Sequence, residues 1–217
     1  MIYSHFLYIC RVTSNVIGRL KNIPVWFARC RHCRGFGVQS PWAYAFIRYV
    51  IGEKWPYYAY EHLDKVVENI GWRDRRLGRL FFRIANYCRS SVVLDFSSGE
   101  NIYEEYIKAG SVKSRIVRVS TDMTSADYIS FLDDMCVPGF VMLTLEGRWR
   151  SFLDAIRRSA DDRTLVVVRN INSDNEARQC WREIVGDERN IVTFDLYYCG
   201  IVFFDKKRYK QNYIVNF

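Results

Sequence analysis

The sequence is poor in the residues with which many hydrolytic enzymes begin their chemistry. It has only three histidines, His5, His32 and His62, and none lies in a segment that predicts a strand. It has no Gly-x-Ser-x-Gly nucleophile elbow and no phosphate loop ending in Gly-Lys-Ser or Gly-Lys-Thr. These absences argue against a catalytic triad and against a P-loop nucleotidase.

Long apolar runs are also missing. No stretch of about 18 apolar residues is present, so the sequence predicts no membrane-spanning helix. The apolar segment 1–10 has no basic start, and no small-residue cleavage pattern follows it. We therefore expect no export signal.

The cysteines do not form the pattern of a disulfide framework. Their number, seven, is odd and they are scattered along the chain, which favours a reducing, cytoplasmic location. Cys30 and Cys33 lie close to His32 in the sequence Cys-Arg-His-Cys, a spacing that can begin a zinc site or form a redox pair. No second cluster of Cys and His follows at ligand spacing. A pair of free thiols is therefore the favoured interpretation, and no metal site is predicted.

Positive charge is concentrated in the first part of the chain. Residues 1–90 contain 15 Lys or Arg against 5 Asp or Glu, whereas residues 91–217 contain 17 against 19. A basic surface of this kind attracts nucleic acid, anionic lipid or an acidic protein. Because no nucleic-acid motif accompanies the charge, a solvated helix face is the favoured alternative.

Helical patterns dominate residues 1–88, which we interpret as a basic N-terminal extension. Residues 3–29 predict an amphipathic helix, broken at Pro24, that packs on the domain, on a second subunit or on a membrane surface, with packing on protein as the default. After a glycine-rich loop, Ser40 and Pro41 form a typical helix start. The helices predicted beyond this point span residues 43–51, 61–69 and 74–87.

Two motifs in this extension suit ligand binding. The sequence Trp-Pro-Tyr-Tyr-Ala-Tyr at 55–60 can stack on bases or on a flat ligand, although such a run more often packs between helices. Arg76, Arg79 and Arg83 follow one another at spacings of three and four, so they form one positive ridge on the helix 74–87. That ridge is the predicted contact for an acidic protein or a nucleic acid, with a solvated stripe as the alternative.

From residue 91 onward, strand-like and helix-like segments alternate, which predicts a parallel sheet with helices on both faces. Two last strands are joined by a turn too short for a crossover helix, so they should pair antiparallel with each other or lie as near neighbours at the sheet edge. Ser173 or Asp174 is the predicted cap of the last helix. The predicted strands span residues 92–96, 115–120, 140–145, 164–168, 191–197 and 201–204, and the predicted helices span 102–109, 126–135, 152–159 and 175–185.

This order of elements resembles the class I S-adenosylmethionine-dependent methyltransferase fold, a Rossmann-like fold whose parallel sheet ends in an antiparallel strand pair. Three segments make the resemblance more specific. The sequence Gly-Phe-Gly-Val-Gln-Ser-Pro-Trp at 35–42 is similar to the Gly-His-Gly-Val-His-Ser-Pro-Phe signature of a bacterial family of such proteins. Residues 80–87 resemble that family's helix before the first strand. Residues 195–204 and the strand-like 213–217 resemble its closing strands.

The resemblance implies that residues 89–217 form an S-adenosylmethionine-binding domain, continuous with the extension 1–88. In the family, an acidic end of the first strand and a Gly/Ser loop cradle the methionine part of the cofactor. The matching residues are Asp95, Ser97, Ser98 and Gly99. The acidic tip of the second strand, which binds the ribose, corresponds to Ser120, with Asp122 two residues later. The acidic tip after the family's fourth strand corresponds to Glu146.

The sequence departs from the family where the chemistry is expected. Phe96 stands where the family has a glycine, and its ring is expected to crowd the approach to the loop. Only about twenty residues separate Ser120 from Phe140, too few for a helix and the family's third strand together. Arg-Asn-Ile-Asn at 169–172 replaces an acidic segment, and Gln39 replaces a histidine. We therefore predict neither a general base nor a set of metal ligands.

Two functions follow from this pattern. One is an S-adenosylmethionine-dependent methyltransferase with a reduced pocket, which acts on a small-molecule or macromolecular methyl acceptor by proximity and orientation. The other is a catalytically inactive relative that serves as a binding or scaffold protein through its basic N-terminal half. In both cases the N-terminal helices offer a surface for oligomerisation.

Overall fold

A computed structural model describes residues 24, 29, 35, 37–67, 70–99, 101–135 and 137–217. Apart from Pro24 and Arg29, the amphipathic helix expected at 3–29 lies outside these residues. The cluster of Cys30, His32 and Cys33 lies outside them as well. None of the described helices is long and apolar enough to cross a membrane.

The described chain enters the fold through the glycine-rich loop. Gly35 and Gly37 have φ angles of 78° and 79°, a left-handed conformation that glycine adopts at low cost. Helix α1 (Pro41–Phe46) begins where expected, because the Ser40 hydroxyl accepts a hydrogen bond from the backbone N–H three residues later, at 3.3 Å. A π-helical turn (Ile47–Ile51) continues α1 without a break.

Two further helices precede the sheet. Helix α2 (Tyr58–Val66) begins and ends three residues earlier than the sequence pattern predicts, and α3 (Trp72–Cys88) is slightly longer than predicted. The apolar side of α3, including Leu80 and Phe81, is buried in the same core as one face of the sheet. The domain boundary placed at residue 88 stays a prediction, although α1 and α3 share that core.

The remaining elements alternate as the sequence predicts, with ends shifted by up to three residues. In chain order they are β1 (Val92–Phe96), α4 (Glu104–Gly110), β2 (Arg115–Arg118), α5 (Ser125–Asp133), β3 (Phe140–Leu143), α6 (Trp149–Ser159), β4 (Leu165–Arg169), α7 (Asn175–Gly186), β5 (Val192–Asp195), β6 (Cys199–Phe203) and β7 (Gln211–Ile214).

The strands form one sheet in the order β2-β1-β3-β4-β6-β5-β7. Strands β1 to β4 run parallel, and β7 pairs parallel with β5. Strand β6 pairs antiparallel with β5, as expected, and also with β4. Chain order and sheet order diverge at β1, because the chain passes to β2 on one side of β1 and then to β3 on the other. Such a switch point leaves a crevice at the carboxyl ends of the strands, where open α/β sheets bind ligands.

Both faces of the sheet are buried under helices. Val93 of β1 lies in the core that includes α1, α3 and α4, whereas Leu94 and Phe96 lie in the core that includes α5, α6 and α7. Successive side chains of a strand point to opposite faces. Asp95 therefore shares the face of Val93 and points away from the side that Phe96 occupies.

The arginine ridge predicted on α3 is wrong as a continuous surface. Arg83 is buried, and its guanidinium donates to two backbone carbonyl oxygens of the π-helical turn at 2.6 and 3.0 Å. Arg79 forms an ion pair with Asp64 at 2.8 Å. Arg76 alone of the three is exposed and has no carboxylate partner among the described residues. The ridge fails because helices pack on α3 from more than one side.

The start of α7 decides between the two caps that the sequence allows. The Asp174 carboxylate accepts a hydrogen bond from Ala177 N at 2.8 Å, whereas Ser173 donates its hydroxyl to Asp174 at 2.7 Å. Asp174 is therefore the N-cap of α7.

Asp174→Ala should lower Tm by about 2 to 4 °C, the usual effect of losing an N-cap in a chain of this size. Ser173→Ala is the matched control and should have a smaller effect. Thermal unfolding followed by circular dichroism measures both, and equal losses would contradict this assignment.

Candidate functional site

The candidate site is built around the carboxylate at the end of β1. Asp95 is fully buried. Its Oδ1 accepts a hydrogen bond from the Ser97 hydroxyl at 3.0 Å, whereas its Oδ2 has no hydrogen-bond partner among the described residues. A buried oxygen without a donor costs free energy, so this atom marks a position that a donor on a ligand can fill.

Charged and polar groups surround this carboxylate. Burial raises the pKa of Asp95, and the Ser97 hydroxyl, the positive charge of Arg169 and the neighbouring amide of Asn101 act in the opposite direction. The Asn101 amide lies near the carboxylate but forms no hydrogen bond with Oδ2 by distance and angle. Arg169 ends β4, and its guanidinium lies 5.0 Å from the centre of the Tyr103 ring. The site thus presents a carboxylate and a guanidinium on one side of the sheet.

The loop after β1 is lined by small side chains. A Cβ atom added at Gly99 would meet nothing within 4 Å, so this position faces open space. Ser98 donates its hydroxyl to a carboxylate oxygen of Glu146, which joins this loop to the loop after β3. The structure therefore places the predicted residues of these two loops at the same edge of the sheet.

Ser120 and Asp122 follow β2, which is the neighbour of β1. Val119 N donates to the backbone oxygen of Asp95 at 2.9 Å, which fixes the end of β2 beside the end of β1. Both predicted side chains are exposed, and Asp122 N donates to the Ser120 hydroxyl at 3.4 Å. They lie at the expected edge of the sheet but form no hydrogen bond with the Asp95 carboxylate among the described contacts.

Hydrogen bonds join the loops that follow the first three strands. The backbone N–H and the hydroxyl of Thr144 both donate to Phe96 O, at 3.0 and 2.9 Å. Arg148 N donates to Thr121 O at 3.0 Å. Gly147 permits this approach, because its φ angle is 52° and a Cβ there would lie 2.6 Å from Thr121 O. The edge of the sheet is therefore held in place before any ligand binds.

Phe96 does not crowd the loop as the sequence suggested. Its ring stacks on Phe152 with ring centroids 4.6 Å apart, and it meets Tyr128 at 6.0 Å. Those two rings belong to α6 and α5, on the face opposite Asp95. The expectation that Phe96 blocks the approach is therefore wrong, because its ring packs in the core.

Several polar residues of the site were not predicted from the sequence. Tyr103 donates its hydroxyl to Asp74 at 2.9 Å and its backbone N–H to Asn101 Oδ1 at 3.0 Å. Burial and the negative charge of Asp74 raise the pKa of Tyr103 above its usual value. These residues come from separate segments with no shared motif. The one available signal was the position of Arg169 at a strand end.

The segment 169–172, expected to lack acid–base and metal-binding chemistry, has structural roles. Asn172 donates to Tyr197 O at 2.8 Å and accepts from Arg178 Nε at 3.1 Å. The described residues contain no group of three or more Cys, His, Asp or Glu side chains arranged to hold a metal ion. Their one histidine, His62, lies on α2 rather than at this edge.

No protein-family model and no curated protein matches this chain. Among solved structures, the MycE methyltransferase from the mycinamycin biosynthetic pathway, in complex with Mg and SAH, is 11% identical, with a TM-score of 0.48; the match covers 70% of this chain and 49% of MycE. Cofactor-bound Rv0187 from MTB is also 11% identical, with a TM-score of 0.47 and coverage of 75% and 94%. An O-methyltransferase from Bacillus cereus in complex with SAH is 10% identical, with a TM-score of 0.42 and coverage of 73% and 96%.

This chain spans about half the length of MycE. At these identities and TM-scores the likeness carries no argument about activity. The class of the fold rests instead on the order and direction of the strands. Strands β2-β1-β3-β4-β6-β5, with β6 antiparallel, have the arrangement of a Rossmann-like methyltransferase fold, shortened by one strand beside β2 in the described part of the chain. The expected fold class is confirmed.

Proposed function

We propose that this chain is an S-adenosylmethionine-dependent methyltransferase-like protein that binds its cofactor at the carboxyl end of β1. The observation that carries the proposal is the buried Oδ2 of Asp95, which has no hydrogen-bond partner among the described residues, at the switch point of the sheet. Open α/β sheets bind their ligands at such points. The methyl acceptor, a small molecule or a macromolecule, is not identified by these residues.

The charges at the site suit the amino-acid part of the cofactor. The Asp95 carboxylate offers an acceptor to an ammonium group, and the Arg169 guanidinium offers donors to a carboxylate. Gly99 leaves open space beside the loop, and the exposed Asp122 offers an acceptor to ribose hydroxyls. The other contacts assigned to the cofactor are Ser97, Ser98, Ser120 and Glu146.

When bound, the cofactor supplies a methyl group on a positively charged sulfur. The residues of this chain would hold it and orient an acceptor. No histidine of the described residues lies at the site, and Asp95 is engaged by Ser97. Rate enhancement then comes from proximity and orientation rather than from a strong base. We therefore expect an acceptor whose nucleophile reacts without help from a base.

Calorimetric titration of the full chain with S-adenosylhomocysteine tests the proposal. The wild type should bind, whereas Gly99→Leu should lose measurable binding, because the new side chain would occupy the open space at the loop. Apart from the chain neighbours of Gly99, no atom of the described residues lies within 4 Å of the added Cβ, so Gly99→Leu should fold normally.

Gly186→Leu is the matched control. Gly186 ends α7, away from the site, and a Cβ there also meets nothing within 4 Å. This variant should retain both its Tm and its affinity. The absence of heat and of a thermal shift with the wild type at millimolar S-adenosylhomocysteine would overturn the proposal.

The second candidate is a catalytically inactive relative that binds a partner. It is favoured by the guanidinium of Arg76, which is exposed on α3 and has no ion-pair partner among the described residues, so that it can meet an acidic surface. A salt-dependent pull-down with the wild type and with Arg76→Glu tests whether the basic part recruits an acidic protein or a nucleic acid. An identical set of partners for both proteins would count against this role of Arg76.

A further inference from the structure

A second cavity lies between α2, α3 and the segment 215–217. Its volume is about 900 Å³, within the range of ligand-binding pockets. Its walls combine the aromatic run at 55–60 with the arginine row of α3, two motifs that the proposed methyltransferase site does not use. Among the residues that the structure describes, it shares none of its lining with the site around Asp95.

Arg76 brings to this cavity a positive charge that forms no ion pair among the described residues, although the carboxylates of Glu53 and Glu61 also line the cavity. Its guanidinium lies 4.6 Å from the centre of the Phe217 ring, and no carboxylate of the described residues pairs with it. The Arg76 side chain lines the cavity, so it contacts solvent but is also surrounded by protein atoms. This partial desolvation lowers the pKa of Arg76. An arginine remains charged under such conditions and is well suited to bind phosphate.

The other two arginines of the row, unlike Arg76, already bind protein groups. Arg79 is paired with Asp64, and Arg83 is occupied by backbone carbonyls. Lys54 also lines the cavity and is exposed. An incoming anion would therefore meet Arg76 and Lys54 as the available cations.

Aromatic rings line the same cavity. Trp55 is 74% exposed and Tyr58 is 99% exposed, whereas Tyr57 is held against Tyr60 with ring centroids 5.3 Å apart. The Glu53 carboxylate accepts hydrogen bonds from the backbone N–H groups of Lys54 at 2.7 Å and Trp55 at 2.9 Å. The turn that presents Trp55 is therefore ordered in advance, which reduces the entropic cost of stacking a ligand on it.

We propose that this cavity binds a small phosphorylated planar ligand, a nucleoside monophosphate or a compound of the same shape and charge. The planar ring stacks on Trp55, and the phosphate binds the Arg76 guanidinium with Lys54 close by. Stacking and a charge-assisted phosphate contact are the two interactions that the lining residues offer.

Calorimetric titration of the full chain with uridine 5′-monophosphate at low ionic strength tests this inference. The pyrimidine is chosen because an adenine nucleotide can enter an adenosyl site. The wild type should bind, while uridine and inorganic phosphate should each bind at least tenfold more weakly. Trp55→Ala and Arg76→Gln should each weaken binding about tenfold.

Arg158→Gln is the matched control, since Arg158 is an exposed arginine of α6 outside the cavity. This variant should bind uridine 5′-monophosphate with the affinity of the wild type. Equal affinity of Arg76→Gln and wild type, or no binding of uridine 5′-monophosphate, would overturn the inference. Displacement of the nucleotide by S-adenosylhomocysteine would do so as well, because the two ligands would then share one site. Binding of the nucleotide by a chain that ignores S-adenosylhomocysteine would support this cavity while removing the proposed cofactor site.

Discussion

Asp95→Asn is expected to weaken S-adenosylhomocysteine binding about 10- to 100-fold, because asparagine keeps the shape of the side chain but removes the charge that an ammonium group would meet. A hydrogen bond between charged partners typically contributes about 1.5 to 3 kcal/mol, which corresponds to this range of affinity. The same substitution should raise Tm at neutral pH. None of the described residues donates to the buried Asp95 Oδ2, and an uncharged amide is less costly to bury than an ionised carboxylate.

The gain in stability should depend on pH in a definite direction. Burial raises the pKa of Asp95 in the folded state above its usual value of 3.8, so the folded protein binds this proton more tightly than the unfolded chain does. The ionised group therefore lowers the stability of the wild type as the pH rises from 3.8 through the folded-state pKa. Above that pKa the penalty is complete. The difference in Tm between Asp95→Asn and wild type should accordingly be largest near neutral pH and shrink towards pH 4.

Thermal unfolding at several pH values measures the change in Tm, and calorimetry at neutral pH measures the affinity for S-adenosylhomocysteine. Glu188→Gln serves as a control, since it removes one negative charge from an exposed position and should change neither quantity appreciably. A lower Tm for Asp95→Asn at neutral pH would indicate that the ionised carboxylate stabilises the free protein. Unchanged affinity for S-adenosylhomocysteine would mean that Asp95 does not contact the ligand.

Strands β1, β3, β4 and β6 could be predicted because each contains a short apolar run. Val92, Val93 and Leu94 form such a run before Asp95, and the position of that carboxylate at a strand end followed directly. The antiparallel pairing of β5 and β6 followed from the short connection between them. Such features depend on neighbouring residues, so they can be read locally.

The side to which Phe96 points was harder to foresee. The sequence suggested a ring beside the cofactor loop, whereas the pleat of β1 turns it towards Phe152. Alternation along the predicted strand 92–96 already placed Asp95 and Phe96 on opposite faces, but the sequence did not show which face of the sheet lies beside the loop. Arg169 and Tyr103 meet only through the tertiary fold, which is why no motif marked them.

The arginine row of α3 illustrates the same limit. Arg76 and Arg83 are seven residues apart, so helical periodicity places them on one face. The first is exposed and the second is buried, because the π-helical turn and α2 cover only the later part of that face. Periodicity indicates which residues share a face, but the neighbours of each turn decide its burial.

Arg83→Met is expected to lower the free energy of unfolding by about 3 kcal/mol, since it leaves two buried carbonyl oxygens without donors. Arg83 Nε donates to Val50 O at 2.6 Å, Nη2 donates to Ile51 O at 3.0 Å, and Nη1 donates to Tyr60 Oη at 3.2 Å. The π-helical turn leaves these carbonyls unpaired at its end, and the guanidinium fork satisfies both at once. Methionine fills a similar volume but offers no donor.

Arg76→Met on the same face of α3 is the matched control, and its effect should stay within about 0.5 kcal/mol because Arg76 is exposed. Arg83→Lys should also destabilise the protein, since an ammonium group lacks the planar fork that reaches both carbonyls. Urea unfolding followed by circular dichroism measures all three variants. Equal stability of Arg83→Met and Arg76→Met would show that Arg83 is not required to terminate the π-helical turn. A loss confined to Arg83→Met and Arg83→Lys would instead show that part of the positive charge in the N-terminal half serves the fold and is not available to a partner.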